Sequence, residues 1–226
     1  MIALLLAAAV PQTAVEAERA FAAAAARDGQ WTAFRATAAP DAVVFQPQPT
    51  SAADVLGPLK DPAASVDWRP AESYVSCDGT TAANTGPTRW PNGRVGYFAT
   101  IWARQGDGQW KWALDHGDFT ARPRWAWEAK VKVRRASCSG KPPSEPQTAA
   151  DIAIAGIVAE AMSGQAGPAT GRRSGSGASP DGTLFWSWSV AADGARRFSV
   201  ALWNGRRLER VVDDRVAAPS PPAAKP

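Results

Sequence analysis

Residues Gly93 to Gly117, GRVGYFATIWARQGDGQWKWALDHG, leave the chain few choices. Tyr97, Phe98, Thr100, Ile101 and Trp102 are strand formers that run into Gly106-Asp107-Gly108, after which Trp110, Trp112 and Leu114 alternate with Lys111, Ala113 and Asp115. The pattern predicts a β-hairpin, and aromatic side chains this dense must line a core or a pocket. A two-residue Asp107-Gly108 turn places Tyr97, Ala99 and Ile101 beside Trp110, Trp112, Leu114 and His116. A three-residue turn brings Phe98, Thr100 and Trp102 there instead, because a slip of one residue flips a strand. His116 stays with the tryptophans in both registers, and Asp115 takes the opposite face.

With 226 residues, 45% hydrophobic content and 11 Trp, the chain can bury one good core or a core plus an appendage. The net charge of +4 is spread over Arg134-Arg135, Arg172-Arg173, Arg196-Arg197 and Arg206-Arg207 rather than gathered in a stripe, which argues against nucleic acid as a partner. The run MIALLLAAAV before Pro11 is too short to span a bilayer and reads as a secretory signal over residues 1–14, which predicts a periplasmic or secreted protein. In such a compartment Cys77 and Cys138 would form a disulfide; otherwise they are two buried thiols. One histidine in the whole chain rules out a Cys/His metal site, and no nucleotide or phosphate loop, serine elbow or zinc motif occurs, so no cofactor is expected.

Helical patterns come first. Val15 to Arg27 is alanine-rich and ends at Asp28-Gly29, and Gln30 to Ala38 carries Trp31 and Phe34 three apart before Pro40-Asp41. A strand at Ala42–Gln46 and a short helix from Ser51 to about Leu59 follow, closed by Asp61-Pro62. The chain then turns to β: Glu72–Cys77 and Thr80–Thr88 pair across Asp78-Gly79, and with the hairpin they make a four-strand antiparallel meander. Helices followed by strands are the α+β pattern. Ala129–Arg134 reads as an edge strand, Lys141–Pro146 as a linker, Thr148–Met162 as an amphipathic helix and Ser163–Pro180 as a loop. Thr183–Val190 and Arg197–Trp203 form a second hairpin, Leu208–Val212 adds a strand, and the tail from Ala217 to Pro226 is expected to be disordered.

The segments AERAFAAAAARDGQWTAFRATAAPDAVVFQP, AANTGPTRW and GRVGYFATIWARQGDGQWKWALDHG resemble the nuclear transport factor 2-like superfamily in its SnoaL-like branch. The resemblance covers Glu16 to Gly117. It implies a cone of helices wrapped by a curved antiparallel sheet with a pocket at the wide end, here as a domain over 15–140 with an added C-terminal helix and β-meander over 141–216. Enzymes of that superfamily place a carboxylate or a His-Asp pair in the pocket, with tyrosines on a substrate oxygen.

Asp115-His116 is the strongest chemical pair in the chain, although adjacent strand residues point to opposite faces. Tyr97 and Tyr74 are the only phenols, Tyr74 alternating with Glu72 and Ser76 on a polar stripe. Trp102, Trp110 and Trp112, with Tyr74, are the candidate ligand contacts, weighed against a plain core role. Three readings follow. The first is an exported domain binding a small apolar or aromatic molecule. The second is an isomerase, dehydratase or cyclase with Asp115 or His116 as base and Tyr97 or Tyr74 as proton donor. The third is a homodimerising module whose open sheet face is capped or enlarged by the hairpin carrying Trp186, Trp188 and Trp203.

Overall fold

The computed structural model describes residues 11–142 and 173–219. Helix α1 (Ala14–Asp28) begins at a capping box, in which the Thr13 hydroxyl accepts the Glu16 N–H at 3.2 Å and the Glu16 carboxylate accepts the Thr13 N–H at 3.1 Å. Gly29, at φ 109°, turns the chain into α2 (Gln30–Thr37), and a Cβ there would stand 2.4 Å from the Asp61 carboxyl. Asp61 accepts the N–H groups of Trp31 at 2.6 Å and Thr32 at 3.0 Å. A residue read as a helix terminator is thus the cap of a helix thirty positions earlier.

Strand β1 (Ala38–Phe45) starts before the sequence suggests, and Pro40 fits inside it because pairing with the neighbouring strand is interrupted between Ala38 and Val43. It is followed by β2 (Pro49–Ser51), the Ser51-capped α3 (Ala52–Leu56), β3 (Asp67–Trp68), β4 (Glu72–Val75), β5 (Thr81–Arg89), β6 (Val95–Arg104), β7 (Trp110–Phe119) and β8 (Lys132–Arg135). The expected antiparallel run β4-β5-β6-β7 is present inside a larger sheet of order β2-β1-β7-β6-β5-β4-β8, with β3 on β5. Two pairings are parallel, β1 on β7 and β8 on β4, so the sheet is not a pure meander.

The decisive irregularity lies in the hairpin. Leu114 opposes Ile101, but Trp112 opposes Trp102, so Ala113 is an extra residue and the strand changes face across it. Trp102, Trp110 and Trp112 pack with Phe21, Phe34, Leu56 and Trp68 beneath the helices, whereas Ile101 and Leu114 join Ala83, Ala99 and Tyr74 on the other side. Trp102 and Trp112 each remove about 200 Å² from water, on the order of 5 kcal/mol apiece. The bulge corrects the expectation that His116 shares the tryptophans' face: neither register allowed for one strand that uses both.

A second sheet of order β12-β11-β10-β9 covers the outer face. Its strands are β9 (Arg173–Ala178), β10 (Leu184–Val190), β11 (Arg196–Trp203) and β12 (Leu208–Val216). Leu184, Phe198, Val200 and Leu202 pack on Ile101 and Leu114, giving three layers of helices, sheet and sheet. The hairpin at Asp193-Gly194 is where the sequence put it, but part of the expected Ser163–Pro180 loop is β9. Its glycines suit the place, since a Cβ at Gly175 or Gly177 would enter the rings of Trp188 and Trp186. The expected helix at Thr148–Met162, the signal segment through Val10 and the tail beyond Pro219 lie outside the described residues. Cys77 and Cys138 form a disulfide that ties the turn after β4 to the chain after β8. Among the described residues, no helix is long and apolar enough to cross a membrane and no acidic, His or Cys cluster could hold a metal.

Candidate functional site

Strand β1 leaves β7 after Val44 pairs with Asp115, while β7 continues to Phe119 against β6 alone. At this unpaired edge lies a cavity of about 370 Å³, a size that suits a small organic molecule. Trp31 and Phe34 of α2, Trp68, Trp90, Phe98 and Phe119 supply aromatic wall, and Val44, Phe45 and Val66 supply aliphatic and ring surface. Gln30, Gln46, Thr88, Tyr97, Asp115, His116, Asp118 and Arg196 are the polar members. Because the sheet is open here, residues of both faces reach the cavity, Arg196 coming from the second sheet. Gly117 belongs at this edge, since a Cβ would stand 2.5 Å from the Tyr97 carbonyl oxygen.

Asp115 is the acidic group on the helix side. It lies deep in the protein but keeps part of its surface towards the cavity, and the Thr100 hydroxyl donates to its Oδ2 at 3.0 Å. Burial pushes its carboxyl up to about 7, with the Thr100 hydrogen bond pulling the other way. No cation pairs with it among the described residues.

Glu18 stands behind it and is 0% exposed. Trp68 Nε1 donates to Glu18 Oε1 at 2.9 Å, and Trp102 Nε1 and Asn84 Nδ2 donate to Oε2 at 2.6 and 3.2 Å. Burial raises Glu18 to about 7, these three donors oppose the rise, and the charge of Asp115 adds to it. Sequence reasoning missed Glu18, although the signal was there: it sits three residues before Phe21 and four after Ala14, on the buried stripe of α1.

His116 points to the other face of β7 from Asp115, although both border the cavity. Its side chain has no exposed surface and lies among Phe45 at 4.9 Å, Phe198 at 5.2 Å and Tyr97 at 6.0 Å between ring centroids. Its Nδ1 is 3.9 Å from Asp214 Oδ2, beyond hydrogen-bond reach, and neither ring nitrogen has a partner among the described residues. Burial, then Arg196 and Arg124, lowers its pKa to about 3, so it is a neutral, sealed ring. The carboxylate near the imidazole is therefore Asp214, itself bonded to Arg124, and not Asp115. Tyr97 carries the Arg124 guanidinium 3.5 Å over its ring, a stacked arrangement that leaves the hydroxyl without a well-formed hydrogen bond. Burial raises its pKa.

The remaining candidates fall elsewhere. Tyr74 is buried in the core between the sheets, and its hydroxyl donates to Glu72 at 2.9 Å. Trp102, Trp110 and Trp112 belong to the core under the helices. None of these four lines the cavity, whose tryptophans are Trp31, Trp68 and Trp90.

The sequence matches no family model and no curated protein. A solved structure described as a "putative ketosteroid isomerase" from Parabacteroides distasonis ATCC 8503 is 17% identical over 51% of this chain and 94% of its own, with a TM-score of 0.40. So slight a likeness decides nothing about the chemistry of this chain.

Proposed function

We propose that this chain binds a flat, largely apolar small molecule in the aromatic cavity at the open edge of β7, with Asp115 meeting the ligand's polar group. The observation that carries the reading is a carboxyl with no cation paired to it among the described residues, held beside aromatic walls at an opening in the sheet. The helix-then-sheet order of the first 120 or so residues supports the nuclear transport factor 2-like comparison made from the sequence. Placement outside the cytoplasm is part of the proposal, supported by the Cys77–Cys138 disulfide, since such bonds persist in oxidising compartments. 2-Naphthol tests the binding reading: it should quench tryptophan fluorescence and raise the melting temperature, and Asp115→Asn should weaken it about tenfold. Absence of binding at any pH would sink the reading.

A second reading has its own support. A carboxyl that titrates near neutral pH and faces a cavity is suited to taking a proton from carbon, the task of an isomerase, dehydratase or cyclase. Asp115 is then the base and Tyr97, which also borders the cavity, the proton donor, while Tyr74 is remote and the His116 ring has no exposed surface. Deuterium exchange at the α-carbon of 2-tetralone, followed by NMR, checks this: acceleration by the native protein and none by Asp115→Asn is expected.

A further inference from the structure

The cavity at the edge of β7 has two ends of opposite character. Alternation along the strand turns Asp115 to the helix side and Asp118 to the side of the second sheet, where Tyr97 is its partner in register on β6. Gly117, which lines the cavity between them, adds no side chain. At the helix side, Asp115 Oδ2 accepts from Thr100 at 3.0 Å, and Oδ1 accepts from nothing among the described residues. At the other side Arg196 reaches in from β11, 7% exposed. Its Nη2 donates to Asp118 Oδ2 at 3.1 Å, while its Nε and Nη1 have no acceptor among the described residues. Asp118 Oδ1 accepts the Phe119 N–H at 2.7 Å, so the bond between Asp118 and Arg196 is single rather than two-pronged. The Tyr97 hydroxyl and both nitrogens of His116 are likewise buried at this end without a partner. One acceptor there is also unpaired, Asp214 Oδ2, and it stands 3.9 Å from His116 Nδ1. A guanidinium offers several N–H donors, and a buried donor left unbonded costs free energy, so this end is short of acceptor oxygens.

We propose that Arg196 is the specificity-determining residue of the cavity and that the ligand is an aromatic carboxylate. Its carboxylate accepts from Arg196 Nη1, its rings lie between the aromatic walls, and a hydrogen-bond donor at its far end meets Asp115. A carboxylate is the group a guanidinium binds best, through charge-assisted hydrogen bonds. Turned round, the same ligand would set its carboxylate against Asp115 and leave Arg196 unmatched, so the two ends also fix its direction. Because Arg196 belongs to β11, the second sheet completes the site: the helices and first sheet supply the aromatic walls and the acidic end alone. This names the ligand class for the function proposed above and rests on it for the walls and Asp115, but not for the Arg196 contact.

The test titrates the full chain, by tryptophan fluorescence, with 2-naphthol and with 6-hydroxy-2-naphthoate, which adds a carboxylate at the far end of the same rings. The added group should tighten binding about tenfold, as a charge-assisted hydrogen bond in a buried site does. Arg196→Gln should remove that gain while leaving the affinity for 2-naphthol within about twofold. Asp118→Asn, which takes the competing charge off Arg196, should enlarge the gain. Its side chain is 27% exposed, so this variant carries the test if Arg196→Gln folds poorly. A role for Arg196 in folding alone would weaken both compounds together and overturns the proposal. Equal affinity of the native chain for the two compounds, or a gain that neither variant alters, overturns it as well. If 6-hydroxy-2-naphthoate binds through Arg196 and 2-naphthol does not bind, the Arg196 contact stands and the Asp115 reading falls. If neither compound binds, the cavity reading falls and this proposal with it.

Discussion

Trp112 and Leu114 stand two residues apart on β7 yet pack into different cores, because Ala113 between them has no partner of its own on β6. The faces taken by Asp115 and His116 follow from that extra residue. It points Asp115 towards the helices and the cavity and turns His116 towards the second sheet. Deleting Ala113 would restore an unbroken pleat and send one set of side chains to the wrong layer. The expected outcome is loss of the near-ultraviolet circular dichroism of the packed tryptophans. Ala113→Gly, which keeps the count, should cost only about 1 kcal/mol in urea unfolding. A deletion variant with a native spectrum would show that the bulge is dispensable.

Much of this architecture was legible in the sequence, and what was not has physical causes. The hairpin turns, the capped helices and the strand at Arg196–Trp203 are written locally, in Asp-Gly pairs, helix caps and alternation. Bulges are not, because one unpaired residue leaves no composition signal, and so alternation alone puts His116 with the tryptophans. The parallel pairings of β1 and β8 depend on segments far apart in the chain. Glu18 could have been found from its place on the apolar stripe of α1. The partners that make it notable, Trp68, Asn84 and Trp102, come from three strands and only the fold assembles them. The cavity tryptophans Trp31 and Trp90 lie outside the aromatic hairpin, one on a helix and one just past a strand.

Asp115 should make the protein less stable in mild alkali. Its folded pKa of about 7 lies above the usual 3.8, so the unfolded chain gives up the proton first. As pH rises from about 4 to 7 the folded state loses ground by at most about 1.4 kcal/mol per unit, and the loss is complete above 7. Asp115→Asn removes this slope, and its stabilisation relative to the native chain should be larger at pH 8.5 than at pH 5. Urea midpoints at the two pH values check this, and equal differences would mean the carboxyl is solvated in the folded state.

His116 works in the opposite direction and in a lower window. Its folded pKa of about 3 lies below 6.5, so the unfolded chain takes up a proton that the buried ring refuses. Stability from this group is intact above pH 6.5 and is lost as pH falls towards 3. His116→Phe fits the space beside Phe45 and Phe198. The variant should lose less stability than the native chain between pH 7 and 4.5, by roughly 2 kcal/mol. A native-like acid slope in the variant would place the proton uptake on another group.

The disulfide closes a span of 61 residues that holds β5, β6, β7 and β8. Restricting the unfolded chain over a loop of that length contributes roughly 4 kcal/mol in the entropic account. Cys77→Ser with Cys138→Ser should lower unfolding stability by about 2–4 kcal/mol. Cys77 also donates its backbone N–H to Thr183 Oγ1 at 2.8 Å, so the junction with the second sheet should survive the substitution. Hydrogen exchange across β10 and β11 would reveal whether it does.

The second sheet decides what the outer face of the first can do. Ile101, Leu114, Ala83 and Ala99 pack with Phe198, Val200 and Leu202 of the same chain, so the second sheet caps this face of the first within the chain. A chain ending at Lys141 keeps both cysteines and the whole eight-stranded sheet but bares that apolar face. Exposed patches of this kind drive association. The truncated chain should therefore scatter light as a larger species than the full-length protein and bind a hydrophobic dye, and Leu114→Lys in the truncated chain should reduce both effects. If truncation leaves mass and dye binding unchanged, the helices and first sheet suffice alone, and the second sheet is an addition to the cavity wall rather than a cover.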